Sequence, residues 1–276
     1  MMNDSPFRAL TTLRQLEPQR FAAHIDPTWT IGPKVHGGSM TAVVGAAARD
    51  AARANPDVVA TTPVAISTDF VSAPEPGPVE LDTEFRKIGK QVSLVDVVLR
   101  QGDRVAVRAS VTLGAPDDGE PLFADVPTQL PAEPPEDAVT LTPEHPMAQV
   151  VHVAQGSDMR VDPSSAHFLR GAQGDPEVRL WARPLAGDDA DVDARTLFAV
   201  MTGDISAPVT MNRGMFGWAP TVQLTTYVRR VPAPGWLRVV ARSSVLGATW
   251  FEEDHTVIDS TGAVVVQSRQ LAMIPR

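Results

Sequence analysis

A chain of 276 residues can bury one large core or two of ordinary size, and 43% apolar with 21% charged residues is the balance of a globular protein. The net charge of −9 and a sequence pI near 5.1 exclude a general nucleic-acid binder, whose affinity rests on phosphate neutralisation by Lys and Arg. The absence of cysteine excludes disulfides, thiolate metal ligands and a cysteine nucleophile.

The N-terminal stretch MMNDSPFRALTTLRQLEPQRF has no long apolar segment of the kind a secretory signal needs. No uninterrupted apolar run reaches the roughly 18 residues of a membrane span. A cytoplasmic protein is the expectation. The first helix is predicted over residues 39–55, where Met40, Val43, Val44, Ala47 and Ala51 recur at three- and four-residue spacing. His36, Gly37 and Gly38 precede it, and Asn55-Pro56 ends it. Strands follow at 79–85, where Val79, Leu81, Thr83 and Phe85 alternate with acidic residues, and at 92–100 and 105–113 around the turn Gln101-Gly102-Asp103.

Prolines crowd residues 116–148, a stretch that can hold neither a helix nor a central strand. It reads as a linker, dividing the chain into an N-terminal domain (1–115) and a C-terminal domain (149–276). In the second half a helix is expected over 194–205, capped by Asp193. Strands are expected in WLRVVARSS, ATWFEEDHTVI and AVVVQSRQLAMI, the last two joined by the turn Asp259-Ser260-Thr261-Gly262.

The halves repeat. VAISTDFVSAPEPGPVEL (64–81) matches VQLTTYVRRVPAPGWLRV (222–239), so that Pro74, Pro76 and Gly77 correspond to Pro232, Pro234 and Gly235 at an offset of 158. Gly89 and Gly247 keep the same offset. One helix followed by long antiparallel strands, repeated once, is an α+β pattern. It fits two tandem hotdog folds, each a long helix wrapped by a curved antiparallel sheet, with the two sheets paired side by side.

On the segments WTIGPKVHGGSMTAVVGAAA, GDISAPV, PTVQLTTYVRR and GAVVVQSRQLAMI, the chain resembles the double-hotdog acyl-CoA thioesterases of the type II, or TesB-like, family, from about Phe21 to the C-terminus. The resemblance implies hydrolysis of acyl-CoA to free acid and CoA, with CoA as part of the substrate and neither a cofactor nor a metal required. It also implies a water held by an Asp, a Thr or Ser and a Gln, which here match Asp204, Thr221 and Gln270. Thr225 and Thr226 compete for the hydroxyl role. At the 158 offset Asp204 faces Ala46, Thr221 faces Pro63, and Gln270 faces Val111 or Thr112, so the first half lacks the set.

Of the three, Asp204 alone can take a proton, and burial on an apolar helix would raise its pKa toward a useful value. Thr221 and Gln270 would fix the water with neutral donors and acceptors. The oxyanion is expected at the N-terminus of the first helix, where Gly37 and Gly38 permit close approach, with His36 beside the substrate. Arg229-Arg230 and the Arg86, Lys87, Lys90 group are candidates for CoA phosphates. A serine-esterase reading of His-Gly-Gly fails for want of a Gly-x-Ser-x-Gly elbow, and the six histidines show no zinc-ligand spacing. A non-catalytic acyl-CoA-binding or scaffold protein on the same fold is the alternative reading. Association of further copies through sheet faces is expected of either.

Overall fold

A computed structural model describes residues 5–127, 130–142 and 144–275. In chain order its elements are α1 (Pro6–Thr11), β1 (Arg14–Glu17), β2 (Arg20–Ile25), β3 (Thr30–Ile31), β4 (Lys34–Val35), α2 (Gly37–Arg53), β5 (Thr62–Phe70), β6 (Gly77–Lys87), β7 (Ser93–Gln101) and β8 (Arg104–Gly114). The second half contributes β9 (Val139–Thr140), β10 (Ser157–Val161), β11 (Glu177–Pro184), α3 (Ala186–Asp189), α4 (Val192–Thr202), β12 (Thr221–Val228), β13 (Leu237–Arg242), β14 (Trp250–Ile258) and β15 (Val264–Met273). All strands but β3 and β4 join one 13-stranded sheet, in the order β1-β2-β6-β7-β8-β5-β12-β15-β14-β13-β11-β10-β9. The fold is a tandem hotdog: α2 packs on β5, β6, β7 and β8, α4 packs on β11, β12 and β15, and the two helices pack on each other.

The strands bury alternate residues. On β7, Ser93, Val95, Val97 and Leu99 are buried while Leu94, Asp96 and Val98 between them are half-exposed, the period-two signature of a sheet with one covered face. One large core cluster runs through both units with α2 and α4, and two smaller clusters, around Trp181 with Trp236 and around Phe251, complete the second unit.

The junction between the units is antiparallel pairing of β5 with β12, and its register obeys the repeat. Ser67 lies opposite Thr225, 158 residues away, and their hydroxyls are 3.2 Å apart. Asp69 faces Gln223 and Ala65 faces Tyr227, each pair the mirror of the other at that offset. A pseudo-twofold axis therefore passes between Ser67 and Thr225. Both strands also carry an irregularity at the same place, between Pro63 and Ala65 and between Thr221 and Gln223. Leu224 pairs Gln270 as Ile66 pairs Val111, so Val111, not Thr112, is the structural counterpart of Gln270.

Three expectations need correction. The second helix runs over Val192–Thr202 rather than 194–205, because Gly203 and the run to Pro208 break it and Asp204 lies beyond its end. Its N-cap is Asp191, whose side chain accepts from the Ala194 N–H. Asp193 instead forms an ion pair with Arg53 on α2. Of the proline-rich stretch, residues 139–140 pair with β10, and Leu141 and Met147 help wall a cavity lined by both units. Thr128, Gln129 and Pro143 of that stretch lie outside the described residues.

Asp188 ties the N-terminus to the second unit. Its fully buried carboxylate accepts from the backbone N–H groups of Phe7 (3.0 Å) and Arg8 (2.8 Å), donors that the first turn of α1 cannot satisfy itself. Asp188→Ala orphans both, and the expected loss is about 2 kcal/mol in urea unfolding.

Candidate functional site

A cavity of about 650 Å³ with a mainly apolar lining lies between the two units, walled by residues from the stretches 31–40 and 70–73 of the first and by the second. Its origin lies in the unequal helices. In the first unit α2 continues to Arg53, so residues 45–50 are helical and pack in the core. Their counterparts, 203–208, have left the helix, and Asp204, Ile205, Ser206, Ala207 and Pro208 line open space. Asp204, Thr221, Gln270, His36 and Gly37 all border this cavity. Gly38 sits behind Asp204 rather than on the cavity wall.

Asp204 is held against the tip of α2. A Cβ on Gly37 would lie 2.5 Å from Asp204 Oδ2, and one on Gly38 would lie 2.4 Å from the Met201 carbonyl oxygen and 3.2 Å from Asp204 Cβ. Only glycine permits this approach. The Gly38 N–H donates to the carboxylate, and the positive end of a 17-residue helix faces it. Burial outweighs that support and pushes the Asp204 carboxyl from 3.8 up to about 7.

His36 is the N-cap of α2. Its Nδ1 accepts from the Ser39 N–H at 3.2 Å, so the proton sits on Nε2, which donates to the Asp204 backbone carbonyl at 2.8 Å. Burial lowers its pKa to about 4, and the ring is neutral at pH 7. Nδ1 thus caps the helix, and Nε2 docks the Asp204 backbone on its tip.

Opposite them, Thr221 Oγ1 lies 2.7 Å from Gln270 Oε1, joining the start of β12 to β15. The competing threonines point elsewhere. Thr225 reaches across the unit junction to Ser67, and Thr226 is buried beneath the sheet. The basic candidates are likewise not at the cavity: Arg229 bonds Gln267, Arg230 reaches the Asp118 carbonyl, Arg86 pairs with Asp96, and neither Lys87 nor Lys90 lines it.

Sequence reasoning missed three neighbours. Glu253 on β14 lines the cavity with 1% exposure. Its Oε2 accepts from the Val209 N–H at 3.0 Å, and its Oε1 from the Ser206 hydroxyl at 2.7 Å. His255 Nε2 lies 3.0 Å from Ser206 Oγ and 3.3 Å from Glu253 Oε1. Burial, with a smaller contribution from Asp204, pushes the Glu253 carboxyl from 4.5 to about 7, and burial lowers His255 to about 4. The signal was present: Phe251, Glu253, His255 and Val257 share one face of a strand, so two ionisable groups sit in an apolar stripe.

The first unit holds none of this chemistry. Through the strand registers, Val111 stands for Gln270, Val95 for Glu253 and Val97 for His255, and all three valines are fully buried.

Comparison with known proteins gives the family and the fold. Residues 25–114 match the model of an acyl-CoA thioesterase N-terminal domain, and residues 127–274 that of an acyl-CoA thioesterase C-terminal domain. An uncharacterised protein of Mycobacterium tuberculosis is 44% identical over 271 residues, covering 92% of this chain and 91% of that one. The crystal structure of a thioesterase II candidate from Thermobifida fusca superposes with a TM-score of 0.86 at 25% identity, covering 99% and 100% of the two chains. The acyl-CoA thioesterase II TesB2 of Mycobacterium marinum shares the fold, with a TM-score of 0.70 at 13% identity over 98% and 96%. Among the described residues no helix is long and apolar enough to cross a membrane.

The raised carboxyl has a stability consequence. The folded chain holds the Asp204 proton more tightly than the unfolded chain, so ionisation costs stability progressively as pH climbs from about 4 to about 7. Asp204→Asn removes that cost. Its Tm is expected to exceed the wild type's by several degrees at pH 8, and the gap should close below pH 4 in a thermal-melt series.

Proposed function

This chain belongs to the acyl-CoA thioesterase family and is a thioester hydrolase, and from that premise we propose that its hydrolytic water is held by Asp204, Thr221 and Gln270 at the tip of α2. The observation that carries the reading is the convergence of these three side chains on one cavity, with a buried carboxyl held near neutrality.

In the proposed reaction the water oxygen attacks the thioester carbonyl carbon while Asp204 takes the departing proton. A carboxylate with its ordinary pKa near 4 would be a weak base; one near 7 is matched to the task. Thr221 and Gln270 orient the water. The developing oxyanion lies at the α2 tip beside Gly37, where the helix dipole favours negative charge. Collapse expels CoA as thiolate, which recovers the proton from Asp204. The steps consume water alone and assign nothing to a metal or cofactor.

The acyl group would occupy the apolar remainder of the cavity. Its lining crosses the sheet from Gln270 on β15, through Phe251 on β14, to Leu180 on β11 and Met159 on β10. The strand order β15-β14-β13-β11-β10 places roughly 19 Å of sheet between the ends, at about 4.8 Å per strand. That span suits a medium or longer acyl chain.

Release of CoA from acyl-CoAs of graded length tests the reading. Asp204→Asn is expected to lower kcat by about 10²–10⁴-fold, and the wild-type kcat/KM to fall as pH drops below about 7. Equal rates for the two proteins would remove Asp204 from its role, and no turnover at any length would favour the binding-protein alternative. Met159→Trp, which fills the far end, is expected to cut kcat/KM for long-chain substrates by roughly tenfold or more while short-chain turnover stays nearly unchanged.

A further inference from the structure

Gln270 can help to place the water only if its side-chain amide faces the right way, and the Thr221 contact does not settle that. A hydroxyl both donates and accepts, so Thr221 Oγ1 at 2.7 Å is compatible with either the amide oxygen or the amide nitrogen. The second neighbour does discriminate. Gln270 Nε2 lies 3.5 Å from Glu253 Oε1, and once the Glu253 carboxyl, with its pKa held at about 7, is ionised it only accepts, whereas its acid form also carries a donor.

Glu253 is itself fixed. It pairs with Gln270 across the β14–β15 ladder, and its Oε2 is held by the backbone N–H of Val209, which no side-chain change can reverse. Its Oε1 gathers Ser206 Oγ (2.7 Å) and lies beside His255 Nε2 (3.3 Å). A buried carboxylate kept beside a second one, Asp204, is costly, and its first-unit counterpart is simply Val95. Core packing therefore does not demand an acid at this place in the fold.

We propose that Glu253 is a positioning residue: its acceptor-only carboxylate holds the Gln270 amide with nitrogen toward β14 and oxygen toward Thr221. One N–H of Gln270 is then directed at Glu253, and the other is left for the cavity that Gln270 lines. In this orientation Thr221 donates to Gln270 Oε1 and keeps its lone pairs for the water. The water so held receives a donor from Gln270 and gives its own protons to Thr221 and Asp204. The inference rests on the three-residue reading of the site given above.

The test is a double-mutant cycle on the full chain at about pH 8, where Glu253 is mostly ionised, read as kcat and KM for one good acyl-CoA substrate, with Tm recorded for each variant. In Glu253→Gln the Val209 N–H still demands an oxygen, so the new NH₂ group faces Gln270 and the two amides oppose like donors. The expected result is a fall in kcat of about 10–100-fold with KM changed little, and no such fall when the same change is made in Gln270→Ala. A kcat within about twofold of wild type, or an equal fall in both backgrounds, would overturn the proposal. Wild-type kcat in Gln270→Ala would instead overturn the three-residue site itself. Should Glu253→Gln melt early, the exchanged pair decides. Gln270→Glu alone sets two carboxyls face to face, and adding Glu253→Gln is expected to recover Tm because an NH₂ group then meets the new carboxylate. Absence of recovery would refute the contact.

Discussion

Two missing methyl groups set the geometry of this site. At Gly37 and Gly38 a Cβ would collide with the Asp204 carboxylate and with the Met201 carbonyl, so glycine at these positions lets the chain beyond α4 lie directly on the tip of α2. Everything about Asp204 follows from that contact. The carboxylate is stripped of water, which raises its pKa, and is given a backbone N–H and a helix dipole in exchange. His36 closes the arrangement by bonding the Asp204 carbonyl while capping the helix that receives the carboxylate.

The contact also explains why both units are needed. The helix tip belongs to the first unit; the carboxylate, hydroxyl and amide belong to the second. The pseudo-twofold axis at Ser67 and Thr225 brings the two helices together and so creates this shared boundary. A symmetric molecule would build a second site across the axis. Here the equivalent positions carry Ala46, Pro63, Val95 and Val111, and α2 runs straight through the space that the broken second helix leaves open. The same backbone plan therefore gives continuous helix and core behind one end of the axis and an apolar chamber, walled by both units, at the other.

Polar groups inside that chamber form two patches. Asp204, His36 and the α2 tip make one; Thr221, Gln270, Glu253 and Ser206 make the other, with His255 behind it. Both histidines are neutral at pH 7 and both carboxyls sit near neutrality, each for the same reason: burial penalises the charged form. Near pH 7 each carboxyl therefore sits close to half-ionisation, where the ionised form of Asp204 is strong enough a base to take a proton and the neutral form is within reach.

Much was legible in the sequence, because it was written in local pattern. The alternation in β6, the helix of small residues after His36, the turn glycines Gly102 and Gly262, and the offset of 158 were all readable from the chain itself. Those signals, with the family resemblance, fixed the tandem fold and pointed to Asp204, Thr221 and Gln270. The tertiary structure alone decided the rest. Which of Thr221, Thr225 and Thr226 serves the site depends on an irregularity in one strand pairing, which changes the face a side chain occupies. That Asp204 is buried depends on His36, Gly37 and Gly38, about 170 positions earlier in the chain. That Glu253 touches Gln270 depends on ladder register, and registers between strands are set by the packing of whole faces, which no short stretch of sequence contains.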